Sequence, residues 1–240
     1  MIETNQYLKG NSFEVLPTLP DETFDCIHSD IPYGLDMGYG KTKDVGKEAT
    51  REKRFIVNDK DLNWLPPVAY EMYRVLKPDT FCIIWGKWTG IYDVKLMFEA
   101  VGFQTHTIGV WNKMVQGLGK GFAEAYENWI LLAKGDAKCR YMTKNVIDFM
   151  RPQGVRPDHP HAKPKQVLKK IIDNVTKKGD LVGDFFAGSG SIAEACLELE
   201  RKYYCVELDE DDKGNTMGYI DKALTKIKRY HEMQQLEFSP

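Results

Sequence analysis

Apolar residues along this chain alternate between two arrangements: short continuous runs that suit buried strands, and three-to-four-residue spacings that suit helices. Residues 5 to 16 read as a short strand ending at Lys9-Gly10-Asn11-Ser12, then one helical turn through Phe13, Val15 and Leu16 that Pro17 and Pro20 stop. Phe24-Asp25-Cys26-Ile27-His28 is apolar enough for a short buried strand stopping at Asp30. From Trp64 to Leu76, Leu65, Val68, Met72, Val75 and Leu76 recur at helical spacing until Lys77-Pro78. Thr80 to Trp85 is a continuous apolar strand of the kind buried on both faces. A second helix over Ile91 to Val101 carries Val94, Met97, Phe98 and Val101 on one stripe, with Gly102 beyond its end. Strands at Phe103 to Trp111 and Tyr126 to Ala133 bracket a glycine-containing loop at Gln116 to Gly121 and are expected to pair antiparallel.

Helical order returns after Lys163-Pro164, with proline at the first helical position and Val167, Leu168, Ile171, Ile172 and Val175 on one face. A strand–helix–strand unit follows: strand Leu181 to Phe185, loop Phe186-Ala187-Gly188-Ser189-Gly190, helix Ser191 to Leu199 and strand Tyr203 to Leu208. The terminal helix, with Ile220, Ala223, Leu224, Ile227 and Tyr230 at helical spacing, reads as scaffold. Helices alternating with strands at this spacing predict an α/β fold with a mostly parallel sheet and an antiparallel hairpin at one edge.

Two stretches lack either period. From Gly34 to Asp61 glycines sit among charges, with six basic residues against three acidic between 41 and 54. This is either a solvated loop or a mobile cover that orders on an anionic partner, through Lys41, Lys43, Arg51 and Arg54 among others. Between 134 and 178 twelve basic residues face four acidic ones, and 134 to 161 is irregular. Such a run is a solvated face or a phosphate-binding surface. Arg140, Arg151, Arg156 and His159 are side chains of the types that reach phosphates or base edges.

Composition adds bounds. The 240 residues, 42% hydrophobic and 28% charged, suit a soluble globular chain, expected to be one domain over 1–240 with the loop at about 34–61 and the basic segment at about 134–161 as appendages. There is no run of about 18 apolar residues and no cationic, apolar leader at Met1-Ile2-Glu3-Thr4, so a cytoplasmic protein is the default expectation. Five cysteines without C-x-x-C spacing read as reduced core residues. A net charge of −2 gives no global footprint of nucleic-acid binding, so that case rests on local charge. His159 and His161 lack a nearby Cys or acid cluster and read as structural or DNA-facing in preference to metal ligands, and no metal is expected.

Two stretches carry candidate chemistry. In Ser29-Asp30-Ile31-Pro32-Tyr33-Gly34 an acid sits at a strand's C-terminal end, where ligands of open α/β sheets collect. Pro32 keeps Ile31 out of a helix and aims its carbonyl, and Tyr33 offers a flat face. An acid, an aimed carbonyl and an aromatic plate suit a planar group with an exocyclic amine, although the same residues also suit a plain turn. In the second stretch Gly188 and Gly190 admit close approach of a ligand to backbone, and Glu207, closing the next strand, is placed to accept from two ribose hydroxyls. The third glycine of a dinucleotide loop and the Gly-Lys-Ser/Thr ending of a P-loop are missing, so a different nucleoside-containing cofactor is favoured.

Asp184-Phe185-Phe186-Ala187-Gly188-Ser189-Gly190-Ser191 resembles the Asp-Pro-Phe-x-Gly-Ser-Gly-Thr loop of the amino-directed DNA methyltransferases, and Asp30-Ile31-Pro32-Tyr33 resembles their Asp-Pro-Pro-Tyr motif. The catalytic motif precedes the cofactor loop, as in the circularly permuted β group of that family. Trp111-Asn112-Lys113 with Tyr126-Glu127-Asn128 resembles the family's sheet-ending hairpin, and His159-Pro160-His161-Ala162-Lys163-Pro164 its His-Pro-x-x-Lys-Pro segment. The resemblance implies a Rossmann-like methyltransferase fold, S-adenosylmethionine as cofactor and duplex DNA as partner. It also implies that Asp184, Phe186, Gly188, Ser189 and Gly190 line the cofactor site, with Glu207 at the ribose, Lys163 near the methionine carboxylate, Asn11 near the adenine, and Asp30 bordering it. A flipped-out base would lie against Tyr33, its amine donating to Asp30 and to the Ile31 carbonyl beside Pro32. Asp30 favours adenine N6 over cytosine N4. RNA or protein-amide methylation, or a DNA-binding module without catalysis, are the rival readings. Relatives of this group often dimerise, so a homodimer is one expected state. Ile31, Phe185, Ser191 and Asn11 depart from the family pattern.

Overall fold

The computed structural model describes residues 2–33, 61–115, 121–150 and 163–237. Lys41, Lys43, Arg51, Arg54, Arg151, Arg156 and His159, with the expected cover at 34–61 and most of the expected hairpin loop, lie outside the described residues, save Asp61, Gly121 and the ends of those segments. In chain order the elements are β1 (Gln6–Lys9), α1 (Ser12–Val15), β2 (Phe24–Asp30), α2 (Leu65–Val75), β3 (Leu76–Gly86), α3 (Ile91–Ala100), β4 (Gln104–Asn112), β5 (Tyr126–Lys134), β6 (Val146–Asp148), α4 (Lys165–Val175), β7 (Leu181–Asp184), α5 (Ser191–Glu198), β8 (Lys202–Glu207) and α6 (Tyr219–Glu237).

The strands form one sheet in the order β1-β8-β7-β2-β3-β5-β4-β6. All neighbours pair parallel except β3·β5 and β5·β4, so β5 alone runs against the rest. β3 shows why its run is continuously apolar. Phe81, Ile83 and Trp85 point into a cluster with Val167, Leu168 and Ile171 of α4 and Ile192 and Ala195 of α5, while Cys82 and Ile84 point into a second with Val68 and Met72 of α2 and Val94 and Phe98 of α3. Helices therefore cover both faces, as the period-2 alternation of a doubly covered strand requires.

Chain direction locates the ligand crevice. From β2 the chain crosses through α2 to β3 on one side, and from β7 through α5 to β8 on the other, while β2 and β7 are themselves neighbours. The connections diverge between those two strands, and a cleft opens at their C-terminal ends. Asp30 closes one and Asp184 the other.

Several boundaries differ from expectation for local reasons. β3 starts at Leu76 and not at Thr80, because its pairing with β2 jumps from Phe24↔Leu76 to Cys26↔Phe81 and leaves Lys77 to Thr80 as a bulge. Pro78 has no N–H to give the ladder and Asp79 adopts φ 57, which fits such a break. β6 was not expected: three residues with a single buried apolar side chain, Ile147, carry no period. It extends the sheet beyond the β4–β5 hairpin, so the hairpin is one strand in from the edge. Pro164 caps α4 in extended conformation in place of the expected first helical position. Gly109 of β4 owes its identity to packing, since a Cβ there would fall 2.0 Å from the Trp129 ring of β5.

Candidate active site

Asp30 is the last residue of β2, with Trp85 of β3 as its register partner. The next residue, Ile31, is 2% exposed and buries its side chain in the core cluster that also holds Leu65, Ile84 and Ile91, so the position is held by packing. That anchor leaves the Asp30 carboxylate at the cleft. Its Oδ1 accepts from the Tyr33 hydroxyl at 2.6 Å and its Oδ2 accepts from Lys163 Nζ. Lys163 also donates to the Tyr33 hydroxyl at 2.9 Å and pairs with Glu127 Oε2 at 3.1 Å. The ammonium lies 5.2 Å from the Trp85 ring centre and 5.5 Å from that of Tyr33, within cation–π range of both. Glu127, the second residue of β5, holds Lys113 at 2.8 Å on its other oxygen.

Charge keeps Glu127 and Lys163 ionised. Burial alone would raise the Glu127 carboxyl, but the ammoniums of Lys163 and Lys113 outweigh it and bring its pKa down to about 2. Burial alone would lower Lys163, but Asp30 and Glu127 outweigh it and push its pKa up. Beneath them burial drives the His28 imidazole down to about 3, so it is neutral and accepts from Trp85 Nε1 at 3.2 Å.

The second motif meets the first through a hydroxyl. Ser29 Oγ donates to Asp184 Oδ1 at 3.1 Å and accepts from the Phe185 amide at 3.2 Å. Asp184 Oδ1 also takes the Phe186 amide at 3.1 Å. Asp184 is 2% exposed, and burial, reinforced by the nearby Asp30 and Glu207 charges, raises its carboxyl to about 8, so it is protonated at neutral pH. Beyond it Gly188 and Gly190 adopt φ 56 and φ 84, the left-handed region that favours glycine. At Gly190 a Cβ would also fall 2.7 Å from that of Ala223. Glu207 Oε2 accepts from the Gly188 amide at 2.7 Å and Oε1 from the Asp209 amide at 3.2 Å, while burial holds its pKa above the usual carboxylate range. Tyr7 donates to the Gly188 carbonyl at 2.8 Å. Ser189 Oγ is buried and has no hydrogen-bond partner among the described residues.

The fold thus brings Asp30, Tyr33 and Lys163 into one cluster, and Asp184, Gly188, Ser189, Gly190 and Glu207 into another joined to it by Ser29. Asn11 is beside the second: its side chain caps α1 by accepting from the Phe13 amide at 3.1 Å, while the Gly10 amide binds the Glu207 carbonyl at 3.0 Å. Phe186 packs its ring 5.6 Å from Trp64.

Two of the expected ligand contacts also have partners within the protein. Lys163, expected near a cofactor carboxylate, pairs with Asp30 and Glu127, whose two carboxylates compensate its buried nitrogen. Arg140, expected to face DNA, donates to the Asp173 carbonyl and carboxylate, both at 2.8 Å, and to the Thr176 carbonyl at 3.1 Å. There it satisfies the open carbonyls at the C-terminus of α4. Ser29, Trp85 and Glu127 were missed as site residues. The alternation of β5 reveals nothing of Glu127, whose partner Lys163 is far away in sequence; only its place in the hairpin motif marked it.

Known proteins give a consistent answer. A family model described as DNA methylase, of the N6/N4 type, matches residues 24–213. YubD of Escherichia coli (strain K12), which is named as a methylase, is 29% identical over 206 residues, covering 86% of each chain. Among solved structures, the PvuII DNA methyltransferase (cytosine-N4-specific) superposes with a TM-score of 0.70 at 16% identity, over 94% of this chain and 87% of that one. An M1.HpyAVI–SAM complex gives 0.68 at 20% identity, over 92% and 98%. At such identities the last two establish the fold.

Proposed function

The chain belongs to the N6/N4 DNA methylase family, and from that premise we propose that it transfers a methyl group from S-adenosylmethionine to the exocyclic N6 amine of an adenine flipped out of duplex DNA. The observation that carries this reading is the Ser29–Asp184 hydrogen bond, which fixes the end of the acid-bearing strand against the start of the glycine loop. A donor lying on the loop and an acceptor gripped by Asp30 would then meet over one cleft.

The residues present fit the donor. The left-handed backbone at Gly188 and Gly190 keeps side chains off the loop, the unpartnered Ser189 hydroxyl offers a polar contact, and the Glu207 carboxyl lies beside the loop for ribose hydroxyls. S-adenosylmethionine supplies a methyl on a positively charged sulfur, so its leaving group needs no acid. The protein's part is positioning and electrostatics. Asp30 Oδ1 accepts one amine hydrogen, the Ile31 carbonyl accepts the other, and the nitrogen lone pair is thereby turned out of the ring towards the methyl. Nitrogen–carbon bond formation and carbon–sulfur cleavage leave an extra proton on nitrogen, and Asp30 Oδ1 is the atom placed to take it. Before the base arrives that oxygen is bonded to the Tyr33 hydroxyl, so base capture exchanges one donor for another. The Tyr33 ring then stacks on the base, worth roughly 1–3 kcal/mol. Lys41, Lys43, Arg51, Arg54, Arg151, Arg156 and His159 remain proposed DNA contacts on the charge of their segments.

The test is to incubate the protein with unmethylated DNA and S-adenosylmethionine, digest to nucleosides and weigh the products. N6-methyldeoxyadenosine, lost in Asp30→Ala, is expected. N4-methyldeoxycytidine would move the target to cytosine, and unmodified nucleosides from wild type would refute methyl transfer.

A further inference from the structure

We propose that Glu127 is a positioning residue for methyl transfer, acting through Lys163 to keep Asp30 a strong hydrogen-bond acceptor, an inference that rests on the methyl-transfer reading above. The geometry begins with strand order. Asp30 closes β2, Glu127 is the second residue of β5, and β3 runs between them, with Trp85 level with Asp30 and Gly86 level with Asn128. Two strand spacings put the backbones of the two acids roughly 10 Å apart, too far to touch. Lys163 fills that gap above the Trp85 indole, with one carboxylate on each side of its nitrogen.

Exposure shows which partner is fixed. The Lys163 side chain is 3% exposed, whereas those of Asp30 and Glu127 are 26% and 23% exposed and rim the cleft. A sealed ammonium needs compensation and takes it from whichever carboxylates are in reach. With both present, one positive charge is shared between two negative ones. Asp30 then commits Oδ2 to Lys163, keeps Oδ1 for an amine, and sits in a triad of net charge −1. Without Glu127 the ammonium would lean on Asp30 alone, making a neutral pair and a poorer acceptor where positive charge develops on the amine nitrogen. Lys113, which holds the outer oxygen of Glu127, has a side chain 30% exposed and so contributes orientation through a screened contact.

Glu127→Gln keeps the shape and one acceptor while removing the charge. Assayed on unmethylated bacteriophage genomic DNA with methyl-labelled S-adenosylmethionine, it should lower kcat by roughly ten- to a hundredfold, below the loss for removing a donor that touches the reacting atoms directly. KM for DNA and for the cofactor should stay within about twofold, because Glu127 touches neither. Glu127→Asp should recover part of kcat. Glu127→Gln on a Lys163→Met background should cost nothing further. Unchanged kcat in Glu127→Gln, additive losses with Lys163→Met, or a loss confined to KM would each overturn the inference. If wild type transfers no methyl, the proposed function fails instead. The melting temperatures of the same single and double variants then decide the Glu127–Lys163 coupling, with additive decreases overturning it.

Discussion

Replacing Asp184 with asparagine should flatten the pH dependence of stability. In the wild type the carboxyl is buried and its folded-state pKa is raised from 3.8 to about 8. A carboxyl raised on folding contributes stability that is fully present below its unfolded value and is lost as pH rises through the folded one, because the unfolded chain releases a proton that the folded chain keeps. Between those values the slope is about 1.4 kcal/mol per pH unit. From about pH 5 to about pH 7 the wild type should therefore lose roughly 2–3 kcal/mol relative to Asp184→Asn. Asparagine keeps an oxygen for the Ser29 hydroxyl and the Phe186 amide, so the contacts at 3.1 Å survive and the comparison isolates the proton. The assay is urea unfolding of both proteins at several pH values, reading the difference in free energy at equal m-values. A difference that stays constant across this range would show that Asp184 is ionised in the folded protein and refute the argument. Because the carboxyl faces Ser29 and loop amides, cofactor affinity at neutral pH should change little, which calorimetry checks.

Tyr33→Ala should lose roughly 1–3 kcal/mol in kcat/KM for DNA while leaving cofactor affinity intact, and Tyr33→Phe, which keeps the ring and frees Asp30 Oδ1, should retain most activity; equal losses in both would mean the ring does not stack on the base. Gly188→Val places a β-branched residue at φ 56 beside the amide that binds Glu207, so cofactor binding should vanish in calorimetry, with a stability cost of about 1–2 kcal/mol; unchanged affinity would refute the loop assignment. Arg140→Ala should cost about 1–2 kcal/mol of stability through the lost bonds to Asp173 and Thr176 and leave DNA affinity and its salt dependence unchanged; a reduced salt slope would restore Arg140 to the DNA surface.

What could be read from the chain follows the range of the forces involved. β2, α2, α3, α4 and the β7–α5–β8 unit were legible because each carries its own hydrophobic period and buries it against the sheet. Asp30 and the Gly188–Gly190 loop were legible because strand ends and glycine turns fix backbone locally, and the expected antiparallel pairing of β4 with β5 holds from Gln104↔Ala133 to Asn112↔Tyr126. β6 was not, since its three residues owe their strand form to the exposed edge of β4 and nothing in their own sequence demands it. The ionic part of the site was hidden for a related reason. Whether Lys163 serves a ligand or a neighbour depends on which carboxylates the sheet carries to it, and Asp30 and Glu127 arrive from strands that are distant in sequence and have β3 between them. Asp184 shows the same limit from the other side: its place in the motif points to the cofactor loop, while its hydrogen bond to Ser29 follows from β2 and β7 becoming neighbours. Local pattern locates the backbone of such a site, while the proton and charge partners follow from which strands become neighbours.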